Sequence, residues 1–279
     1  MRRAGPEDIP AIRVCLSGMA DHAMFPLSNL DRFGLDGDHG YAPRMWVAEK
    51  DGLVTDVLTI GKSGVILPAL PGGDWAAAAG CLKGREISGC IGPTDQVRPL
   101  LAELGLAGHP TSLNRDEPHF ALDLDALRIP GGPGMLHPLD AADRDEMIRW
   151  RAAYEVEVLG ADPRTGLDTA RSDYEAYLEA DSHRVLIDGD RPLATTGFNA
   201  TAGQAVQIGG VFTPPPLRGR GHARRAVALH LAEARDKGAR RAILFSASPA
   251  AEAAYRAIGF QRIGDWTLCL MAGRSLSGG

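Results

Sequence analysis

The sequence predicts an α/β protein in which one arrangement of helices and strands occurs twice. Three observations predict it. Apolar residues recur at helical spacing over 6–19, 141–159 and 223–237, whereas runs at 45–50, 53–60, 184–188 and 241–246 have the length and period of strands. The order of helices and then strands met in the first half returns from Leu136 onward. Compared with itself at an offset of 154 residues, the chain places Gly84 on Gly238, 87–92 on 241–246, Thr94 on Ser248, Gly105 on Gly259 and Leu106 on Phe260 without a gap. Self-similarity at a fixed offset is the mark of a duplicated unit.

Taken in order, Ile9, Ile12, Leu16 and Met19 share a helical face, 24–35 forms a second helix, and 45–50 with 53–60 form a hairpin turning at Asp51 and Gly52. Residues 64–70 continue the sheet and 122–127 close it. The glycine- and proline-rich run 129–134 is the one clear linker, so the expected domains are 1–128 and 135–279. In the second, Met147, Trp150, Tyr154 and Val158 line a helix over 141–159, and 167–179 forms another. The strand 184–188 pairs with 192–199 across Gly189 and Asp190, and 273–279 reads as a frayed tail.

Composition narrows the class. With 44% apolar and 23% charged residues, a chain of 279 residues is globular and long enough for two cores. The net charge of −5 speaks against nucleic acid as partner, since that calls for a strongly basic surface. Cys15, Cys81, Cys90 and Cys269 are scattered without a C-x-x-C pair, so neither a metal site nor a disulfide framework is expected. No apolar run reaches membrane length, and Glu7 and Asp8 interrupt the N-terminus early. The expectation is a cytoplasmic protein off the membrane, a monomer or homodimer.

The chemistry concentrates at one strand-to-helix turn. Residues 205–212 alternate as a strand whose Gly209 and Gly210 predict a bulge or a close backbone approach, and a helix begins near Ala223. Between them runs Arg218-Gly-Arg-Gly221-His222-Ala223. The first turn of a helix offers unpaired N–H groups and the positive end of its dipole, which together attract an anion. Gly219 and Gly221 keep side chains from shielding those amides. Arg218, Arg220, Arg224 and Arg225 place positive charge where it opposes the dipole, an arrangement that an anion relieves. The turn reads as a phosphate cradle. It lacks the Gly-Lys-Ser/Thr of a P-loop, and no acidic residue follows in the dinucleotide pattern, which speaks against an unrelated nucleotide binder. Downstream, the strand 241–246 leads to a helix opened by Ser248 as N-cap and Pro249, and ended at Gly259.

Arg218-x-x-Gly221-x-Ala223 followed by Ser248-Pro-Ala-Ala-Glu-Ala-Ala-Tyr255-Arg-Ala-Ile-Gly-Phe260 resembles the GCN5-related N-acetyltransferase (GNAT) superfamily, over roughly Leu136 to Met271. The resemblance implies a mixed, mostly antiparallel sheet flanked by helices, with strands 4 and 5 splayed to admit acetyl-CoA. It places the pyrophosphate on the backbone of Arg218, Gly219, Arg220, Gly221, His222 and Ala223, and the thioester along Gly210, Val211 and Phe212. Ser248 and Ala251 then border the cofactor, and Tyr255 matches the general acid. The family often carries Asn where this chain has Ser248. The run from Trp150 to Glu157 resembles a branch in which this helix borders the acceptor, making Glu155 and Glu157 candidates for the base or for cation recognition, beside a plain reading as solvated helix charges.

These residue types suit acyl transfer to an amine. An alkyl ammonium with a pKa of about 10.4 must lose a proton before it attacks, backbone amides can hold the developing oxyanion, and a phenol can assist a thiolate leaving group of pKa about 8.5. The expectation is an acetyl-CoA-dependent N-acetyltransferase acting by direct attack on a small-molecule or peptide amine; the net negative charge agrees with a cationic acceptor. The alternative is a non-catalytic acyl-CoA sensor or scaffold on the same fold. In the first copy the offset puts Leu101 in place of Tyr255 and 64–69 in place of the arginine-glycine loop, with Pro68 and Pro71 shortening any helix there. That copy is expected to bind no CoA and to serve structurally or as a wall of the acceptor cleft.

Overall fold

The computed structural model describes residues 1–246 and 248–276, and the chain forms two compact units: Met1–His119 together with the stretch from Gly264 onward, and Phe120–Ile263. The first unit opens with β1 (Arg2–Arg3), α1 (Ile9–Gly18) and α2 (Ala20–Phe33). β2 (Pro43–Lys50) and β3 (Leu53–Gly61) pair antiparallel around Asp51 and Gly52, whose φ of 53° and 78° are those of the tight turn predicted from an Asp-Gly pair. β4 (Val65–Ala69) returns beside β3, α3 (Trp75–Leu82) crosses over, and β5 (Glu86–Pro93) lies parallel to β4. α4 (Thr94–Glu103) and β6 (Thr111–Asp123) follow.

The second unit repeats the plan. It contains β7 (Met135–Pro138), α5 (Arg144–Leu159), α6 (Pro163–Glu179), β8 (His183–Asp188), β9 (Arg191–Ala202), β10 (Ala205–Phe212), α7 (His222–Asp236), β11 (Arg241–Phe245) and α8 (Pro249–Ala257). Its strands lie in the order β7-β8-β9-β10-β11, antiparallel except for β10 and β11. Beyond β11 lies the end of β6, and Leu124 just after it donates its N–H to the Arg240 carbonyl at 2.9 Å. The expectation of tandem, mixed, mostly antiparallel sheets flanked by helices describes both units.

Two features depart from the expected boundaries. The units change at His119/Phe120, inside β6, and not within 129–134. The run 129–134 instead packs in the second unit: the Arg225 guanidinium of α7 donates to the carbonyls of Pro130 at 2.7 Å, Pro133 at 3.1 Å and Gly134 at 3.1 Å. The chain end also differs from a frayed tail. β12 (Gln261–Leu276) pairs antiparallel with β5, Trp266 opposite Pro93, Cys269 opposite Cys90 and Leu276 opposite Glu86, so 273–276 belong to a strand of the first unit, with Ser275 and Leu276 in its ladder; 277–279 lie outside the described residues. Each half of the sequence thus contributes strand residues to both units.

Burial follows the pattern. Leu58, Ile66, Leu82, Ile87, Val97 and Leu100 centre the first core, while Phe120, Ile208, Val227, Leu231, Leu244 and Phe260 centre the second. Among the described residues no helix is long and apolar enough to cross a membrane, and no group of three or more His, Cys, Asp or Glu side chains is placed to hold a metal ion.

Candidate active site

β10 is where the second unit opens. Its parallel pairing with β11 covers Ala205 to Gln207 only, opposite Arg241 to Ile243, and past that point β11 no longer pairs with it. On its other edge the register with β9 passes from Gly209 opposite Gly197 to Phe212 opposite Thr195, so Gly210 and Val211 face the single residue Thr196. That is a β-bulge. Gly210 has φ 60°, a conformation that a side chain resists, and its carbonyl accepts the Thr195 hydroxyl at 3.3 Å. The splay expected of the fourth and fifth strands is the divergence of β10 from β11.

A Cβ at Gly210 or Gly197 would lie 2.7 Å or 2.1 Å from Nε2 of His183, so the two glycines make the seat for that ring. His183 is buried, stacks on Tyr177 with 3.5 Å between centroids, and has Ser182 Oγ 2.9 Å from Nδ1; its Nε2 has no hydrogen-bond partner among the described residues. Burial first and the neighbouring Arg151 second hold its pKa well below the usual imidazole range, so it is neutral at physiological pH.

After β10, 215–217 make one 3-10 turn in which Leu217 is buried. Gly221 at φ 82° then caps α7, which starts at His222, so the amides of the first turn, including Ala223, have no intrahelical acceptor. Arg218, Gly219 and Arg220 are exposed, and nothing lies within 4 Å of the place a Gly219 Cβ would take. These features fit a diphosphate. His222 is buried and its pKa falls through burial and then Arg220, leaving its backbone N–H as the group it offers.

Tyr255, on α8, is buried in the second core and meets Phe260 edge-on with centroids 6.0 Å apart. Burial raises its pKa, and the Tyr154 phenol raises it further, so it stays protonated, the form that a proton donor needs. Ser248 is engaged as the helix cap, its hydroxyl accepting the Ala251 amide at 3.3 Å. That bond occupies the side chain in which this chain departs from the family pattern.

The two glutamates take different places. Glu157 pairs with Arg218 at 2.6 Å on the surface, tying α5 to the arginine-glycine loop, while the same guanidinium sits 5.6 Å over the Phe212 ring and donates to the Thr213 carbonyl at 2.8 Å. Glu155 is buried and paired with Arg151, which also holds Asp173 of α6 at 2.8 Å. Burial raises the Glu155 carboxyl against the pull of Arg151. The Arg151 guanidinium lies 4.9 Å over Tyr154 and 5.5 Å over Tyr177. Arg151, Tyr154 and Tyr177, with Leu139, Met147, Tyr174 and Phe212, wall a small cavity that reaches Thr195, His183 and Gly210 at the bulge.

Sequence reasoning thus anticipates the bulge and the turn, but not Arg151, Asp173, Tyr177 or the seat of His183. Arg151 and Glu155 stand four residues apart on one helix face, a signal that was legible; Tyr177 and His183 meet only through the fold. In the first unit the turn after β4 is 70–74, without arginine, and α3 has 8 residues against 15 in α7. β4 itself occupies most of 64–69, so the offset of 154 holds from the end of α3 to Leu106 and breaks before it.

Residues 145–260 match the model of the acetyltransferase (GNAT) family. A GCN5-related N-acetyltransferase from Sphaerobacter thermophilus has a similar structure at 18% identity, with 100% of this chain and 96% of that one covered and a TM-score of 0.54. A tandem GNAT protein of the clavulanic acid biosynthesis pathway aligns at 16% identity over 100% of this chain and 98% of that one, TM-score 0.53. A GCN5-related N-acetyltransferase from Kribbella flavida aligns at 18% identity over 83% and 90%, TM-score 0.55. At these identities the likeness is one of fold. No curated protein matches the chain.

Proposed function

We propose, because residues 145–260 carry a domain of the acetyltransferase (GNAT) family, that the protein transfers an acetyl group from acetyl-CoA to a primary amine by direct attack. The family relation supports an acyl-CoA-dependent acyltransferase in general. What supports the finer reading is one juxtaposition: a strand that leaves its ladder at Gly210 and Val211, followed at once by a glycine-started helix.

The residues then take these parts. The first-turn amides of α7, with Gly219 and Arg220, hold the diphosphate, and the backbone of Gly210, Val211 and Phe212 orients and polarises the acyl carbonyl. Acetyl-CoA supplies the activated thioester. Tyr255 holds a proton for the departing sulfur. Arg218, shared with Glu157, borders the cradle. Glu155, locked to Arg151, positions that arginine and does not serve as a free base. The first unit, with 70–74 in place of the loop, takes no CoA. Titration calorimetry with acetyl-CoA, ATP and NAD tests the assignment: heat with acetyl-CoA alone, and amine-dependent thiol release, are expected, whereas preference for ATP or NAD would refute it.

A further inference from the structure

The first unit has a cleft of its own, at the end of its strands away from the turn 70–74. It opens where β2, β4 and β5 begin and β3 ends, has a volume of about 270 Å³, and is lined by Arg44, Lys62 and Arg85 with Asp36 and Glu86. One water requires about 10–15 Å³, so this cleft has room for a small organic molecule. Gly84, at φ 73°, has nothing within 4 Å of the place a Cβ would take, which leaves the backbone there open to an occupant.

The inner cations outnumber the carboxylate that answers them. Arg3 and Arg44 share Asp36, Arg44 at 3.4 Å. Arg3 and Arg85 each stand 4.9 Å from the centre of the Trp46 ring, and Arg85 is steered by its Nε, which donates to the Cys81 carbonyl of α3 at 3.3 Å. Burial first, then the Arg44 and Arg3 guanidiniums, hold the Arg85 pKa below the usual guanidinium range, and Asp36 offsets this only in part. At the rim Lys62 is paired with Asp38 at 2.8 Å, and Glu86 is exposed. Arg3, Arg44, Lys62 and Arg85 thus face Asp36, Asp38 and Glu86, and the positive charge in excess falls among the inner guanidiniums.

The second unit balances the matching place. Arg184, second residue of β8 as Arg44 is of β2, is buried and paired with Asp181 at 2.7 Å and with Glu233 of α7 at 2.8 Å; Lys237 joins Glu233 at 2.7 Å. Two cations there meet two carboxylates. A cluster that only ties down the sheet end is paired in this way, whereas guanidiniums gathered around one carboxylate repel one another until an anion joins them. From the cleft's size and its inner excess of charge we infer that the first unit binds a small organic oxyanion, its phosphate or carboxylate head held by Arg44 and Arg85. A guanidinium fork matches either head, two N–H donors to two oxygens. An extended polyanion suits neither a recessed cleft nor a chain of net charge −5. This inference is independent of the acetyltransferase reading.

Amide NMR of the full chain, titrated in low salt with pyrophosphate and with citrate, tests the inference. Shifts at Gly61, Gly64 and Gly84 are expected, and the tighter of the two probes tells a phosphate from a carboxylate ligand. Pyrophosphate held at the turn before α7 reports at Gly219 and Gly221 instead, so the two places are read apart. Arg85→Gln is expected to weaken binding at the cleft about tenfold, as loss of a charge-assisted fork does. Asp36→Asn removes the carboxylate that competes for Arg3 and Arg44 and should tighten binding several-fold; asparagine accepts the φ of 57° that Asp36 adopts, so the loop keeps its form. No shift at the three glycines with either probe, an Arg85→Gln protein of unchanged affinity, or an Asp36→Asn protein that binds no more tightly overturns the inference.

Discussion

The two units build the same crossover and finish it differently. In the second, β10 bulges at Gly210, 213–221 form a long turn, and α7 begins on Gly221 with arginines around its first amides. In the first, β4 pairs with β3 from Val57 opposite Ala69 to Ile60 opposite Ile66 without a register shift, and 70–74 lead straight into a short α3 capped by Asp74. A carboxylate cap accepts the Ala77 amide at 3.0 Å and sets a negative charge at the helix end, which disfavours an outside anion there. Where the helix end is capped by glycine, the amides remain available. The difference teaches that the fold supplies the crossover, while the choice of cap and bulge decides which backbone groups the crossover leaves open.

The largest expected effect breaks that contrast directly. Gly221→Val forces a β-branched residue to φ 82°, at a cost of about 1–2 kcal/mol, and puts bulk over the first-turn amides. Acetyl-CoA affinity measured by calorimetry should fall about a hundredfold or more, whereas Asp74→Ala in the first unit should lower the melting temperature and leave that affinity unchanged. Next, Tyr255→Phe should lower kcat about a hundredfold with the acetyl-CoA Kd little changed, as removal of a general acid does; unaltered turnover would remove Tyr255 from that part.

A third expectation concerns stability. The second core buries His230 against Phe198 at 3.8 Å, and burial pushes its pKa down to about 3. The unfolded chain binds that proton near pH 6.5, so the stabilising difference is complete above that value and is lost as pH falls toward about 3. Thermal melting should decline across this window, and a His230→Phe protein should decline less steeply. The smallest effect is at the surface: Glu157→Gln frees Arg218 from an exposed pair and should change acetyl-CoA affinity only a few-fold, by calorimetry in low salt.

Much of this was open to reading before any coordinates. The Asp51-Gly52 hairpin, the helix beginning after Gly221, the Ser248 cap and the glycine stops at Gly105 and Gly259 are local matters, fixed by residues within a turn of one another. The bulge was readable because two adjacent glycines in a strand have few other uses. What was not readable involves long separations. The departure from the 129–134 boundary comes from Arg225 reaching back across the sequence to bind Pro130 and Gly134, and the strand role of 273–276 comes from β5 offering its ladder edge.

By itself, then, the sequence determined the element types, the duplicated plan and the anion-ready turn, because periodicity, caps and glycines act over a few residues. Only the tertiary structure decided that Glu155 is sequestered by Arg151, that Glu157 belongs to Arg218, and that His183 fits a slot left by Gly197 and Gly210. Pairings of that kind depend on which helix face and which strand edge meet, and no short-range preference encodes the meeting.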